Sequence, residues 1–317
     1  MTSTLTRMDA RPIPEQPGEI RACLVVRNEA LRLASVLAHC RRLGVERFLV
    51  IDNGSDDGTL ELLLAQTDVH LFSSGDSYAA NTMGLDWVNA VLDTYADGHW
   101  VLTLDADELF IYPRYEQVPL AAFCRFLDAT EARGVFSLML DMYSDKPVAE
   151  SVHAPGQALV ETCAYFDRGP YRTLDVSQFP NTRIYGGVRD RLFGQVLRGR
   201  FHSPTVSKIP LVKWRAGTRY LASTHHLTPL PLSTLAGGLL HFKFLQDFHA
   251  RAVTEAGRGE HHSGAHEYRA YLELLAADPR FNLMSPASVR FEGSVQLVAL
   301  GLMQTSDAYE RFANALA

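Results

Sequence analysis

Val101-Leu102-Thr103-Leu104-Asp105-Ala106-Asp107-Glu108 is an apolar run that stops at three carboxylates within four residues. Apolar runs of this length bounded by polar residues predict buried strands. The carboxylates are therefore expected where a strand leaves an α/β sheet, which is where open α/β sheets bind ligands. Side chains two apart on an extended chain share a face, so Asp105 and Asp107 can converge on one divalent cation while Glu108 turns elsewhere. Hard ions such as Mg²⁺ and Mn²⁺ favour such oxygens. The plainer use of an isolated Asp-x-Asp is to cap a following helix, so the flanking sequence has to decide.

That flanking sequence alternates between two periods. Ile20 to Val26 reads as a strand ending at Arg27-Asn28-Glu29, after which Leu31, Val36, Leu37 and Leu43 recur at helical spacing and Gly44 closes the helix. Phe48 to Ile51 forms a second strand, followed by the polar turn Asp52-Asn53-Gly54-Ser55-Asp56-Asp57-Gly58-Thr59 and a helical stretch from Thr59. Val69 to Phe72 is a third strand, and a helix from about Asp76 to Tyr95 leads to the strand of Trp100 to Leu104. Strands alternating with helices imply right-handed βαβ units and a parallel sheet. Gly54 and Gly58 let the second turn approach a ligand with its backbone. A carboxylate there can accept from a base NH or a ribose hydroxyl, and an Asx-rich turn with an N-cap at Ser55 or Asp57 is the alternative. No Gly-x-Gly-x-x-Gly follows the first strand and no Gly-x-x-x-x-Gly-Lys-Ser/Thr occurs, which speaks against dinucleotide and P-loop enzymes.

Composition narrows the class. The 317 residues, 47% hydrophobic, can bury one large or two modest cores. A net charge of −6 argues against nucleic acid as a partner. Cys23, Cys40, Cys124 and Cys163 form no Cys-x-x-Cys pair and read as reduced core residues. Residues 1–19 lack an apolar h-region and read as a disordered leader, and no later stretch offers about 18 uninterrupted apolar residues. A cytoplasmic protein without a transmembrane segment is expected, with peripheral contact at the inner membrane face left open.

The strand ending in Arg27-Asn28-Glu29, the loop Asp52 to Thr59, the segment Asn81-Thr82-Met83-Gly84 and Asp105-Ala106-Asp107 together resemble the GT-A fold glycosyltransferases of the family 2 type, over roughly Ile20 to Leu140. The resemblance implies a Rossmann-like, mostly parallel sheet flanked by helices. It also implies that Asn28 and Glu29 border the nucleotide, Asp52 meets the base, Asp56 and Asp57 line its pocket, and Asp105 and Asp107 bind ribose and a metal-bridged diphosphate. Asn81 belongs to the same nucleotide-sugar set, although Ala80 stands where many relatives carry Arg.

Beyond Ala132 the pattern weakens. Val135 to Leu140 is an apolar strand ending at Asp141, and Asp190 lies in Ile184-Tyr185-Gly186-Gly187-Val188-Arg189-Asp190-Arg191. Inverting transfer needs a base for the acceptor hydroxyl, and Asp141 and Asp190 are the two candidates. Arg183, Arg189, Arg191, Arg198 and Arg200 could grip a diphosphate or form a solvated face. Trp214 and Tyr220 could stack on a sugar, and more often such rings are core. His241 interrupts the apolar run Leu239 to Phe244; a hydrogen-bonded core histidine is the plain reading, and several GT-A enzymes complete metal coordination with such a residue. With Asp107 it would favour Mn²⁺, and Lys243, on the same face if the chain is extended, could neutralise diphosphate charge. His225-His226 and His261-His262 with His266 read mainly as structural or surface groups.

The expected organisation is a leader over 1–19, a GT-A domain over 20–245 with a nucleotide-binding half (20–132) and an acceptor half (133–245), and a helical extension over 246–317. The expected activity is transfer of a sugar from a nucleotide-diphosphate sugar, UDP by analogy, to a carbohydrate or glycolipid hydroxyl, with Mn²⁺ or Mg²⁺ and with inversion. The rivals are a metal-dependent nucleotidyltransferase or phosphohydrolase, and a nucleotide-sugar binding protein without turnover.

Overall fold

A computed structural model describes residues 5–174, 182–196, 203–260, 262–278 and 280–316. Its strands are β1 (Thr6–Arg7), β2 (Arg21–Val26), β3 (Arg47–Asp52), β4 (Val69–Ser73), β5 (Trp100–Asp105), β6 (Glu108–Ile111), β7 (Gly134–Asp141), β8 (Tyr165–Asp167), β9 (Tyr171–Leu174), β10 (Arg183–Gly186), β11 (Ser207–Lys213), β12 (Leu232–His241) and β13 (Ser288–Arg290). Its helices are α1 (Ala30–Leu43), α2 (Thr59–Leu64), α3 (Leu85–Tyr95), α4 (Leu120–Ala129), α5 (Leu159–Thr162), α6 (Gly187–Val196), α7 (Phe248–Arg258), α8 (His262–Ala277), α9 (Ser294–Ala299) and α10 (Asp307–Asn314).

Nine strands form one sheet in the order β1-β4-β3-β2-β5-β11-β7-β12-β6. Strands β2, β3, β4, β5, β7 and β12 run one way and β1, β6 and β11 the other. This is the expected mixed α/β fold with a mostly parallel sheet flanked by helices. The parallel strands are apolar along both faces, as burial on both sides requires: Cys23, Leu24, Leu49, Val50, Val101 and Leu102 are all inaccessible. One face packs on α1, α2, α4, α9 and α10. The other packs on α3, where Trp87, Trp214 and Tyr220 are buried. Trp214 and Tyr220 are thus core rings, 5.9 Å apart, rather than a sugar platform. A third cluster ties α6, α7 and α8 together through Phe193, Phe248 and Tyr271.

Three segments depart from expectation. Residues 5–19 are packed rather than frayed: β1 pairs with the β4 edge and Asp9 accepts from the Leu71 amide at 2.8 Å, occupying backbone groups that an edge strand would leave open. The helix expected from Asp76 begins only at Leu85, because Thr82, Met83 and Gly84 are left-handed in succession, with φ of 53°, 54° and 76°. Glycine is needed at the last of these, where a Cβ would lie 2.9 Å from the Tyr78 ring. The C-terminal segment divides its work: α7 and α8 stand over the strand ends, while Tyr309 of α10 packs edge-on against Phe123 and Phe126 on the α4 side. The four cysteines are buried and unbridged. Among the described residues no helix is long and apolar enough to cross a membrane. Arg198, Arg200 and His261 lie outside the described residues.

Candidate active site

Strands β2, β5, β7 and β12 point their C-terminal ends at one cleft of about 290 Å³, closed on its far side by α7 and α8. Asp105 and Asp107 reach it from the end of β5, Arg27 and Glu29 from β2, and His241 and Lys243 from β12. Arg189 reaches it from α6, and Arg251, Glu255, Arg258 and Glu267 come from the covering helices. The turn holding the two aspartates has to be tight because β6, which starts at Glu108, pairs directly with the end of β12. The Phe242 amide donates to the Asp107 carbonyl at 2.8 Å and fastens that turn to β12.

The two aspartates have different partners. Lys208, 1% exposed on β11, puts its ammonium 2.6 Å from Asp105 Oδ2 and 2.7 Å from Glu108 Oε1. Glu108 also accepts from the Asp105 amide at 3.0 Å. Burial pushes Glu108 up to about 7, with Asp105 adding to the rise and Lys208 opposing it. Asp105 stays below the ordinary carboxylate range, since Lys208 outweighs the effect of burial. Asp107 instead faces His241, with Oδ2 3.4 Å from Nε2. Burial works against its charge, but His241, Arg251 and Arg32 hold it well below the usual range.

His241 is clasped from both sides. Its Nδ1 lies 2.6 Å from Asp141 Oδ1, and Asp141 in turn receives the Arg189 guanidinium at 3.0–3.2 Å on both oxygens. Burial alone would depress the imidazole; Asp107 and Asp141 overcome it and raise it to about 9. Asp141 is thereby shifted far below the usual range despite its burial. Asp141, the first of the two expected base positions, has both oxygens taken by Arg189 and one also by His241, an arrangement that orients the imidazole. The second, Asp190, is not among the residues lining the cleft and pairs with exposed Arg172 at 2.6 Å and with Ser203.

The nucleotide-loop residues mostly hold the loops themselves. Asn28, at φ 55°, exchanges hydrogen bonds of 2.7 and 2.8 Å with Asp56. Asp57 accepts from the Ala30 amide and from both the amide and hydroxyl of Thr59. Asn81 donates to the Ser77 carbonyl at 2.9 Å. None of these four lines the cleft. Asp52 accepts from the Gly54 and Ser55 amides through Oδ2, while among the described residues Oδ1 is buried without a hydrogen-bond partner. Glu29 does face the cleft, where Arg251 forks onto it at 2.9 and 3.3 Å. Burial raises its carboxyl to about 7; Arg251 and Arg32 offset part of that rise and Asp107 adds to it.

On the covering wall, Lys243 meets Glu267 Oε1 at 2.6 Å and sits 4.5 and 4.9 Å from the Tyr268 and Tyr271 rings. Glu267 is drawn down to about 2, Lys243 and Arg189 outweighing burial. Arg258 pairs with Glu255 at 3.0 Å. His225 also lines the cleft, with Nδ1 2.7 Å from the Ser207 carbonyl; burial and then Lys208 lower it to about 3, so it is neutral. Sequence reasoning missed Lys208, Arg251, Glu267 and this role of His225. The one signal for Lys208 was a charged residue at the mouth of an otherwise apolar strand.

Among the described residues no group of three or more His, Cys, Asp or Glu side chains is clustered to hold a metal by itself. Asp107 and His241 could hold a divalent ion as a pair that shares it with a ligand only if His241 Nε2, which faces Asp107, gives up its proton; Asp141 on Nδ1 is then the outer carboxylate that metal-binding histidines commonly carry. Asp105 fits less well, being committed to Lys208.

No protein-family model matches the chain, and no curated protein matches it. Solved structures similar to it include S. aureus TarS, at 18% identity and TM-score 0.29 over 40% of this chain and 22% of that one. TarS residues 1–349 align at 13% identity and TM-score 0.33, over 83% and 73%. A 4-diphosphocytidyl-2C-methyl-D-erythritol synthase aligns at 16% identity and TM-score 0.27, over 56% and 79%. The chain therefore spans about a fifth of the longer TarS chain.

Proposed function

We propose that this protein is a GT-A type glycosyltransferase that moves a sugar from a nucleotide-diphosphate sugar to a carbohydrate or glycolipid hydroxyl, assisted by Mn²⁺ or Mg²⁺. The observation that carries this reading is the placing of Asp107 and His241 inside a collar of Arg27, Arg189, Lys243, Arg251 and Arg258 at the strand ends. Cations in that number suit a diphosphate, and the Asp105 and Asp107 carboxylates beside them would oppose its charge, which a bound divalent ion would offset.

Asp107 and His241 would hold that ion, and their mixed oxygen and nitrogen donors favour Mn²⁺. When bound, the ion supplies charge stabilisation to the departing nucleotide diphosphate. Arg251, kept straight by Glu29, and Arg189, kept straight by Asp141, grip the phosphates in a fixed geometry, so little reorganisation is needed as charge develops. Lys243 exchanges Glu267 for a phosphate oxygen. Glu267, with one oxygen on Lys243, is then released beside the sugar, and its proton affinity rises as it loses the ammonium, which suits it to accept the acceptor hydroxyl proton. Attack from the side opposite the leaving group inverts the anomeric centre.

Calorimetric titration with UDP, GDP, CDP and dTDP, each with and without Mn²⁺, tests the reading. Metal-dependent binding of one nucleotide by the wild type, lost in Asp107→Ala, is the expected result. A folded wild type that binds none of the four would remove the donor site, and with it the proposed activity.

A further inference from the structure

The helix pair α7 and α8 that covers the cleft is held differently at its root and at its tip. At the root, fully buried Arg32 of α1 forks onto Asp247, just ahead of α7, at 2.5 and 2.7 Å and donates to the Phe242 carbonyl at 3.0 Å. Beyond α8, the Val148 amide donates to the Phe281 carbonyl at 3.0 Å and Asn282 donates to the Asp145 carbonyl at 2.9 Å. Phe248 and Tyr271 add apolar packing at this end, against Phe244 and Phe193. The outer half packs on itself, with Ala252, Ala265 and Tyr268 in a small cluster apart from the main core.

A carboxylate holds the tip. Glu260, in the turn between α7 and α8, accepts from the Ser77 hydroxyl at 2.7 Å and from the Ala79 amide at 2.8 Å. Those two residues flank Tyr78, which lines the cleft, so the contact closes the cleft at its rim. Both bonds are exposed to water and can break without leaving a buried group unpaired. The segment that receives Glu260 runs into Thr82 and Met83, both left-handed without a glycine's freedom. Such backbone persists where surrounding contacts hold it, and Glu260 supplies two of those contacts.

In this closed arrangement the cleft's own carboxylates occupy its cations. Arg251 of α7 crosses to Glu29 at 2.9 Å, Glu267 of α8 crosses to Lys243 at 2.6 Å, and Arg258 holds Glu255 at 3.0 Å. At about 290 Å³ the cleft also stands at the lower limit of sites that enclose a small organic ligand, and a nucleotide-diphosphate sugar is a large one. We propose that α7 and α8 form a lid that pivots on its root, that Glu260 latches it shut on Ser77 and Ala79, and that the donor enters when the latch opens. The inference rests on the donor site proposed above. A shut lid keeps Arg251 on Glu29 and Lys243 on Glu267; an open one withdraws Arg251 and Glu267 from the floor and widens the cleft. The latch thus controls entry from outside the groups that bind the donor.

The test compares three full-length chains: wild type, Glu260→Ala, and Ser77→Cys with Glu260→Cys joined by a short, reducible bis-methanethiosulfonate linker. The four native cysteines are buried and should not react. Hydrogen exchange without nucleotide reads the lid. Losing the two latch bonds should raise exchange in residues 252–260 and 265–272 about tenfold in Glu260→Ala, with residues 244–248 unchanged. Stopped-flow uptake, with Mn²⁺, of whichever of UDP, GDP, CDP and dTDP the wild type binds reads entry. It should be about tenfold slower in the cross-linked chain, recover on reduction, and be at least as fast in Glu260→Ala as in the wild type. The lid is overturned if exchange in Glu260→Ala matches the wild type, and its control of entry is overturned if the cross-linked chain takes up nucleotide as fast as the reduced one. A wild type that binds none of the four removes the donor site instead, and the exchange result still decides the lid.

Discussion

Lys208→Met removes the ammonium between Asp105 and Glu108 while keeping the length of the side chain. Its cost follows from how differently the two carboxylates are exposed. Glu108 is inaccessible, so losing its partner at 2.7 Å leaves a buried charge uncompensated, a loss of about 3–5 kcal/mol. The Asp105 side chain is 55% exposed, so water screens that half of the pair and it contributes at most about 1 kcal/mol. Methionine fills the same volume, which keeps the packing loss small. The expected destabilisation is about 4 kcal/mol, a large share of the roughly 5–15 kcal/mol that holds a domain together. Glu108→Gln alone should cost less, about 1–3 kcal/mol, since the amide oxygen can still accept from Lys208. The double variant should be more stable than Lys208→Met by about 2 kcal/mol, because the buried charge is gone. Urea unfolding of the four proteins measures all of these. A loss below about 1 kcal/mol in Lys208→Met, or a double variant less stable than that single one, would refute the view that Lys208 exists to neutralise Glu108.

Asp141→Asn should loosen the His241 imidazole and weaken Mn²⁺-dependent nucleotide binding roughly 10–100-fold, whereas Asp190→Asn should leave binding and transfer unchanged; equal effects would return Asp190 to the site. Glu267→Gln should keep or tighten nucleotide affinity, by freeing Lys243, while slowing transfer by about 10²–10⁴-fold; a parallel fall in both would make Glu267 a binding residue only. Burial lowers His39 from its ordinary 6.5 to about 4, so its neutral form is favoured on folding and the unfolded chain takes the proton first as pH falls. Its contribution is full above pH 6.5 and is lost on going down to pH 4, by about 3 kcal/mol at most; the difference between wild type and His39→Gln across that window isolates it, and a flat difference would contradict the burial argument. Gly237→Ala would put a Cβ 2.8 Å from the Ile111 carbonyl and 2.9 Å from Ser137 Oγ, and should cost about 2 kcal/mol or more in thermal or urea unfolding; a neutral result would mean β6 and β12 can part without loss.

The alternation of strands and helices was legible because both faces of the parallel strands are buried and their apolar runs are continuous. Asp105-Ala106-Asp107 was legible as a strand-end cluster for the same reason. The partners of those carboxylates were not, since Lys208 lies 103 residues from Asp105 and Arg189 lies 48 from Asp141. The sheet order, with β11 inserted antiparallel between β5 and β7, brings Lys208 to Asp105, and Arg189 reaches Asp141 from α6. Asn28, Asp56 and Asp57, which the resemblance placed at the nucleotide, stitch their own loops together here, a use that the same residue types serve equally well. The Asn81 segment looked helical because nothing local marks Thr82 and Met83 for the left-handed region.

The sheet order also bears on how this chain is made. Asp105, Asp107 and Glu108 leave the ribosome long before Lys208 and His241. At about 5–20 residues per second the 103 residues from Asp105 to Lys208 take roughly 5–20 s to follow. During that interval three carboxylates stand at the end of an apolar strand that has neither its antiparallel neighbour nor a counter-charge, and their mutual repulsion keeps the unfinished sheet open to β11. The same carboxylates that shape the finished cleft thus guard the nascent edge from pairing with another chain, and a ribosome-bound fragment ending near residue 200 should aggregate more readily when Asp105 and Glu108 are neutralised.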